Sequence, residues 1–480
     1  MRSPSSLTIL FSIPCLLFTA VAATAQDDIP CNGGPGGDFD WVVAAGQTFF
    51  FDTNATSIPG GPGGVPTTVQ DSVGGRVQVR NLVIEEGGEL RAQGPYPVRI
   101  CATGTVEIRG TLDVSGFNAK SVFTLNTGNQ MEIGASGGPG GGQGGDANTV
   151  TSGSTPCGGS GRSPGEALRG GMGGESGYAP ANLGKDARRP GGGGGGRFAA
   201  DQGSLAAGPG SSGHPLSTGA KSGLMPAAGG AAGIGPFVDG DPSNDFFGVE
   251  PILRANGELS GFVRGELASL WAGYGGGAGG NAIPASSFPN PNWTFGSDEK
   301  GGAGGGGGGA LQIRALGKIV FGPQGTIRAN GGAGATGENT LFLDHIGGSG
   351  GSGSGGHVVL ESASGIDFTD GDPLVAPVRN WIESLGGPKI VGTTGASGCA
   401  NACQYSNGGR GGPGVIQLHV PLAIFSVAPD PSAGIVIPLA AGAAANPLGE
   451  VAAPDPILLL PTSRSPASGD GAKLAESRER

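Results

Sequence analysis

The chain has 480 residues, of which 104 are glycine; only 6% are aromatic and 14% charged, and the net charge is −11. Glycine at about three times its usual share of roughly 7% supplies no side chain to bury and loses the most entropy on ordering, which argues against one large hydrophobic core. The acidic balance argues against binding nucleic acid through phosphates, and the glycines lack the strict three-residue spacing of collagen.

Residues 1–25 read as an export signal. Arg2 is their only charge, an apolar run follows from Leu7, and Ala23-Thr24-Ala25 offers a small-x-small cleavage pattern. The run is too short, and too interrupted by Pro14, to anchor the chain in a bilayer. Cleavage after Ala25 removes one basic residue and leaves 38 acidic against 26 basic side chains, a net charge of −12. No later segment is apolar for long enough to span a membrane; residues 434–444 come closest, and Pro438 interrupts them.

Next comes an internal repeat. Val98, Ile100, Ala102, Gly104, Val106 and Ile108 align with Leu311, Ile313, Ala315, Gly317, Ile319 and Phe321. After two extra residues, Leu112, Val114 and Gly116 align with Ile327, Ala329 and Gly331. Residues 82–94 match 319–331 without a gap. Val358, Leu360, Ile366 and Phe368 match Val98, Ile100, Val106 and Ile108, and Ile416 opens another copy. Apolar and polar residues alternate over three to five positions, as in short strands with one buried face, and glycines between the runs permit tight corners. A single such unit cannot bury its own apolar face, so copies must stack. The expected fold is all-β: a short right-handed parallel β-solenoid interrupted by a long glycine-rich insertion, with an antiparallel sandwich of hairpins as the competing arrangement.

The glycine tracts hold a constant place, leading into Leu311, Val358 and Ile416, so excursions are expected to leave and re-enter at one corner. The domain reading is a signal at 1–25, solenoid rungs at 26–116, a glycine-rich insertion at 117–309, rungs again at 310–425, and a Pro/Ala/Ser-rich tail at 426–480. The insertion is either a flexible low-complexity region or a bundle of extended left-handed polyglycine-type helices. Inside it, residues 246–253 and 260–271 are more ordinary, the latter reading as a short helix or a strand pair. The tail is read as weakly ordered. Export permits disulfides. Five cysteines remain after processing, an odd number. Cys399 with Cys403, and Cys31 with Cys101, are the candidate pairs.

Gly325, Thr326, Ile327, Arg328, Ala329, Asn330, Gly331 and Gly332, preceded by Gly317-Lys318-Ile319, form a rung pattern that resembles repeats of bacterial β-solenoid surface proteins of the filamentous-adhesin kind. It is also similar to glycine-rich exported proteins of environmental bacteria. The resemblance implies a secreted or cell-surface location, with cell-surface polysaccharide or other matrix proteins as partners.

Candidate chemistry is sparse. Asp367, Asp370 and Asp372 surround Gly371 and are the best carboxylate cluster for calcium; a solvated turn capped by Asp side chains is the plainer reading. Residues 141–149, with Asp146, match the first part of a calcium-binding nonapeptide but place Asn148 where a large apolar residue belongs. Ser163 and Ser349 each sit in a Gly-x-Ser-x-Gly motif without the flanking strand and helix of a nucleophile elbow. His214, His345, His357 and His419 show no metal-ligand spacing. Glu107 with Asp113, or Glu361 with Asp367, would be the acid pair of a polysaccharide lyase or hydrolase. The function expected from the sequence is that of a non-catalytic structural or cell-surface protein, with a carbohydrate-active enzyme or a surface adhesin as the alternatives.

Overall fold

The computed structural model describes residues 40–58, 70–120, 133–147, 158–162, 164, 170–172, 177–178, 191–198, 207–210, 229–233, 252–253, 259–260, 270–283, 300–337, 347–362, 364–368, 381–390, 407–419 and 435–439. Among these residues there is no α-helix, so no helix is long and apolar enough to cross a membrane.

The chain winds through three parallel sheets in a fixed order. The first coil supplies β1 (Asp40–Val43) and β2 (Thr48–Asp52), followed by an antiparallel hairpin of β3 (Ala55–Ile58) and β4 (Gln70–Val73). The second coil is β5 (Arg76–Val79), β6 (Asn81–Ile84) and β7 (Glu89–Gln93), and the third is β8 (Val98–Ala102), β9 (Val106–Ile108) and β10 (Thr111–Asp113). Two small pairs then occur: β11 (Gly177–Tyr178) pairs parallel with β14 (Ala282–Ile283), and β12 (Ile252–Leu253) pairs antiparallel with β13 (Leu259–Ser260). The fourth coil is β15 (Ala310–Ala315), β16 (Ile319–Phe321) and β17 (Thr326–Arg328). The fifth is β18 (His357–Ser362), β19 (Ile366–Phe368) and β20 (Ile382–Glu383), and β21 (Val415–His419) and β22 (Ile435–Leu439) follow.

The first sheet runs β1-β6-β9-β16-β19, the second β2-β7-β10-β17-β20, and the third β22-β21-β18-β15-β8-β5. Each coil therefore visits the third sheet, the first and the second in turn, a parallel β-solenoid-like arrangement. Head-to-tail hairpins would instead have paired neighbouring runs antiparallel.

The repeat aligned in the sequence is the lateral register. Leu311 lies beside Val98 and Val358, Ile319 beside Val106 and Ile366, and Leu112 between Leu90 and Ile327. Ile416 lies beside Val358, as the opening of another copy should. β22 falls inside the stretch that composition reads as a tail, and its residues pair with β21 in register.

Stacking turns the alternating apolar positions into buried ladders. Trp41, Leu82, Val106, Ile319 and Ile366 form one, and Val43, Ile84, Ile108, Phe321 and Phe368 another, every member 2% exposed or less. The Phe321 and Phe368 rings stack at 4.9 Å, and Trp381 closes on Phe368 at 5.4 Å. Trp41, with Phe49 at 5.5 Å and Phe51 at 6.0 Å, fills the first coil. Each of these side chains is worth about 1.5–3 kcal/mol of burial, and the contiguous apolar cluster of the described residues lies in the coil.

The four longest excursions between sheets, at 53–75, 114–309, 329–356 and 384–414, leave after the second sheet and return before the third, while residues 94–97 alone close the same corner between β7 and β8. A shorter one, 369–381, separates β19 in the first sheet from β20 in the second, and the corner into the first sheet stays at one to three residues. The corner into the first sheet carries a polar ladder there: Asn81 Nδ2 donates to Asp40 Oδ1 at 2.8 Å, and Thr105 N donates to Asn81 Oδ1 at 2.7 Å.

Phe321→Ala removes a ring packed on both sides and is expected to lower unfolding stability by about 3–5 kcal/mol. Val320→Ala, one residue along on the outer face, is expected to cost less than about 1 kcal/mol. Urea denaturation of the two variants measures the difference.

Candidate functional site

The glycine tracts pack into a lattice held chiefly by backbone hydrogen bonds. Residues 301–309 lie at its centre. Gly302, Gly305 and Gly308 donate their N–H groups to the carbonyls of Gly348, Gly351 and Ser354. Gly304 and Gly307 donate to Gly145 and Gly142, and Gly306 and Gly309 to Phe117 and Val114. The carbonyls of the tract accept from Gly279, Gly276 and Gly273, from Ala335 and Gly332, and from Ala135 and Gly138. Six neighbouring segments thus surround one tract, two running parallel to it and four antiparallel, with N···O distances of 2.7–3.1 Å. The donors to any one neighbour recur every third residue, so the groups of one turn point in three directions. Burying so much backbone costs little only when its polar groups are paired in this way.

Residues 273–280 are packed in the same manner. They donate to 302–308, 191–194 and 159–162, and they accept from 142–145, 348–354 and Gly171.

Only glycine fits most of these places. A Cβ on Gly304 would lie 2.0 Å from the Gly276 carbonyl oxygen, on Gly305 2.1 Å from that of Gly332, and on Gly306 2.0 Å from that of Ser136. The Cα hydrogens instead meet these oxygens directly, a weak attraction repeated many times. Small side chains enter at the remaining positions. Ser352 Oγ donates to the Pro388 carbonyl at 2.6 Å and accepts from Gly334 N, and Ser354 Oγ accepts from Tyr274 N at 2.8 Å.

Polar side chains finish the ends of the tracts. Asp146 Oδ1 accepts from Gly134 N at 2.7 Å, and Asn281 Oδ1 accepts from Gly301 N at 2.9 Å. Where the lattice meets β18 there is an aromatic knot. His357 Nδ1 accepts from Trp271 N at 3.3 Å, Trp271 Nε1 donates to the Tyr274 hydroxyl at 3.2 Å, and the Phe198 ring lies 6.5 Å from Tyr274 and 6.4 Å from His357. Trp271 and Tyr274 are three residues apart, but Phe198 and His357 are each more than 70 residues from them, and no motif joins the set.

Most residues singled out in the sequence serve the scaffold. Ser349 is fully buried inside the lattice, away from any helix. Asp146 caps a tract. His357 is a packing residue in the aromatic knot. Glu107 lies in the first sheet and pairs with Arg109, whereas Asp113 lies in the second, 3.6 Å from Arg91. Glu361 lies in the third sheet, held by Arg314 at 2.6 Å and Gln312 at 2.9 Å, while Asp367 is in the first sheet. Each acid pair is thus divided between two sheets and does not share a groove.

Asp367 is placed in β19; Asp370 and Asp372 lie outside the described residues. Among the described residues, no group of three His, Cys, Asp or Glu gathers to hold a metal. Cys101 is buried in β8. Cys31, Cys399, Cys403, Ser163, His214, His345 and the signal at 1–25 lie outside the described residues.

One carboxylate is perturbed. Arg80 grips Asp40 through Nε at 2.8 Å and through its terminal nitrogen at 2.6 Å, and Asn81 adds a third bond. The Arg80 hydrogen bonds, with those of Asn81, hold the Asp40 carboxyl below its ordinary value of 3.8 against a partial opposing effect of burial. Because the folded value lies below the unfolded one, this contact stabilises the fold above about pH 4 and is lost as the pH falls through the lowered value.

Arg80→Ala is therefore expected to cost about 1 kcal/mol near neutral pH, a small figure because the Arg80 side chain is 52% exposed. The difference from the parent should shrink below about pH 4 in a pH series of urea midpoints. Gly305→Ala drives a methyl group into the Gly332 carbonyl and is expected to lower stability by about 3 kcal/mol, whereas Ala303→Gly, in the same tract, should cost only about 1 kcal/mol. Thermal unfolding of both variants distinguishes crowding from general sensitivity of the tract. No protein-family model, no curated protein and no solved structure matches this chain.

Proposed function

We propose that this chain is an exported, non-catalytic structural protein of a cell surface or extracellular matrix. It is built as a short right-handed parallel β-solenoid carrying a bundle of polyglycine-type helices. The observation that carries this reading is the six-neighbour backbone lattice around residues 301–309. Such a lattice gives cohesion without side-chain chemistry, which suits a protein whose task is to hold its shape outside the cell.

The helical reading rests on two features. Donors to a given neighbour recur every third residue, the period of a polyproline II-type helix. Positive φ among the described glycines is confined to Gly46, Gly74, Gly75, Gly87, Gly94, Gly140 and Gly365, and of these only Gly140, at a turn between two tracts, belongs to the bundle. Three residues per turn without positive φ corresponds to the left-handed extended helix.

The export signal at 1–25, the acidic charge and the resemblance of the rungs to filamentous-adhesin-like surface proteins support a place outside the cytoplasm. Of the acids considered for glycan cleavage, Glu107, Asp113 and Glu361 are each engaged by an arginine, which favours a structural role over a catalytic one.

Fractionation of the producing cell with intact-mass analysis is expected to find the protein outside the cytoplasm and beginning at Gln26. The same material should show a polyproline II-type circular dichroism band that disappears cooperatively on heating. A cytoplasmic protein that keeps residues 1–25 would overturn export. A spectrum whose band fades without a transition would overturn the helical bundle.

A further inference from the structure

We propose that Cys101 and Cys31 form a disulfide that pins residues 26–39 across the outer face of the third sheet and clasps the first coil. The proposal rests on the reading of the chain as exported, because such bonds persist in oxidising compartments.

In β8, Val98, Ile100 and Ala102 turn into the apolar ladders, so alternation sends Arg99 and Cys101 outward. Cys101 is nevertheless only 7% exposed. Its neighbours on that face are covered too. The side chains of Glu361 and Arg314 are 8% and 19% exposed, against 31% for Glu107 on the first sheet and 47% for Arg328 on the second. The Gln78 amide oxygen, beside Cys101, is closed off from solvent. Cys101 itself is engaged in a disulfide whose other half lies outside the described residues. The outer face of the third sheet therefore carries a cysteine-bearing segment of the chain.

Topology selects the segment. Cys31 stands nine residues before Asp40, which opens β1 at the corner between the third and first sheets, tied to Arg80 and Asn81. In the later coils the residues entering the first sheet come from the third, as in β5 to β6 and β8 to β9. From Cys101 the path to Asp40 runs one strand across to Gln78, three residues along to Asn81 and one strand across, at most about 21 Å. Nine residues reach about 30 Å, and Gly33, Gly34, Gly36 and Gly37 let the chain turn on the way.

The other cysteines start from the far end of the lattice. Cys157 adjoins Gly158, which packs on the carbonyls of Ala278 and Gly279. Gly279 donates to Gly302, twelve residues before Arg314, the register partner of Cys101. Twelve extended residues are on the order of 37 Å, and no glycine of positive φ interrupts them. Cys399 and Cys403 precede Asn407, which is twelve residues before His419, and His419 is level with Cys101 but three strands across.

Bond formation is a thiol–disulfide exchange with an extracytoplasmic dithiol oxidase. One cysteine thiolate opens the oxidase disulfide to a mixed disulfide, and the other displaces the oxidase sulfur. The two cysteines lose two electrons and two protons, and the oxidase leaves as its dithiol.

Tryptic digestion of the secreted protein without reduction, read by mass spectrometry, tests the pairing. Trypsin places Cys31 in residues 26–76, Cys101 in 100–109, Cys157 in 121–162, and Cys399 with Cys403 in 390–410, so each pairing has its own mass. Residues 26–76 are expected joined to 100–109 and released by reduction. Cys31→Ser, Cys101→Ser and the double variant should lower the thermal transition equally, by about 5 °C, since all three lose the same bond. In folded Cys31→Ser the Cys101 thiol should react with iodoacetamide as its cover lifts. Protein recovered outside the cell with 100–109 joined to another peptide, or carrying a free thiol, overturns the clasp and leaves the export reading standing. A cytoplasmic protein that keeps residues 1–25 removes the export reading and the bond with it.

Discussion

The architecture depends on how closely two backbones can approach when neither carries a Cβ. In tract 301–309 the carbonyl oxygens of neighbouring segments occupy the places where side chains would begin, about 2 Å from the ideal Cβ positions of Gly304, Gly305 and Gly306. That approach lets Gly302 and residues 304–309 each donate to a backbone carbonyl of a neighbouring segment, so the tract packs with little apolar burial. Glycine is usually a poor choice for an ordered segment because of its entropy loss. Here the loss is offset by hydrogen bonding in several directions at once, which a strand, bonding in only one plane, cannot match.

The coil and the lattice solve each other's problem. Isolated glycine segments have no means of choosing a neighbour, since one glycine looks like the next. The coil supplies the choice: β15, β18 and β21 are fixed side by side by their apolar ladders, so the tracts leading into them, 301–309, 347–356 and 407–414, start in register. The tracts leaving the second sheet after β10, β17 and β20 are ordered in the same way. In return the lattice ties together coils separated in the sequence by nearly 200 residues of insertion between β10 and β15. The aromatic knot of Phe198, Trp271, Tyr274 and His357 locks the join between the two parts.

The coil was legible in the sequence because its rules are local. Alternating Val, Ile and Leu at Val98, Ile100 and Ala102, set against Leu311, Ile313 and Ala315, gives both strand and register, and the glycine before each copy marks the corner. The lattice was legible only as a choice between two states. A run such as 191–196 carries no pattern that separates a packed tract from a loose chain, and the difference lies in partners as distant as Gly409, which donates to Gly193. Glycine-rich sequence produces Gly-x-Ser-x-Gly and nonapeptide matches freely, and Ser349 and Asp146 serve in packing and capping. The acid pairs Glu107 with Asp113 and Glu361 with Asp367 are near in sequence, yet a corner of the coil divides each between two sheets.

Amide hydrogen exchange followed by mass spectrometry on the full-length protein tests the lattice most directly. Peptides covering residues 302–309 and 348–355 should exchange as slowly as those covering β15 and β18, since their N–H groups are buried and paired. Exchange of the glycine peptides at the rate of an unprotected chain, while β15 and β18 stay protected, would contradict the account.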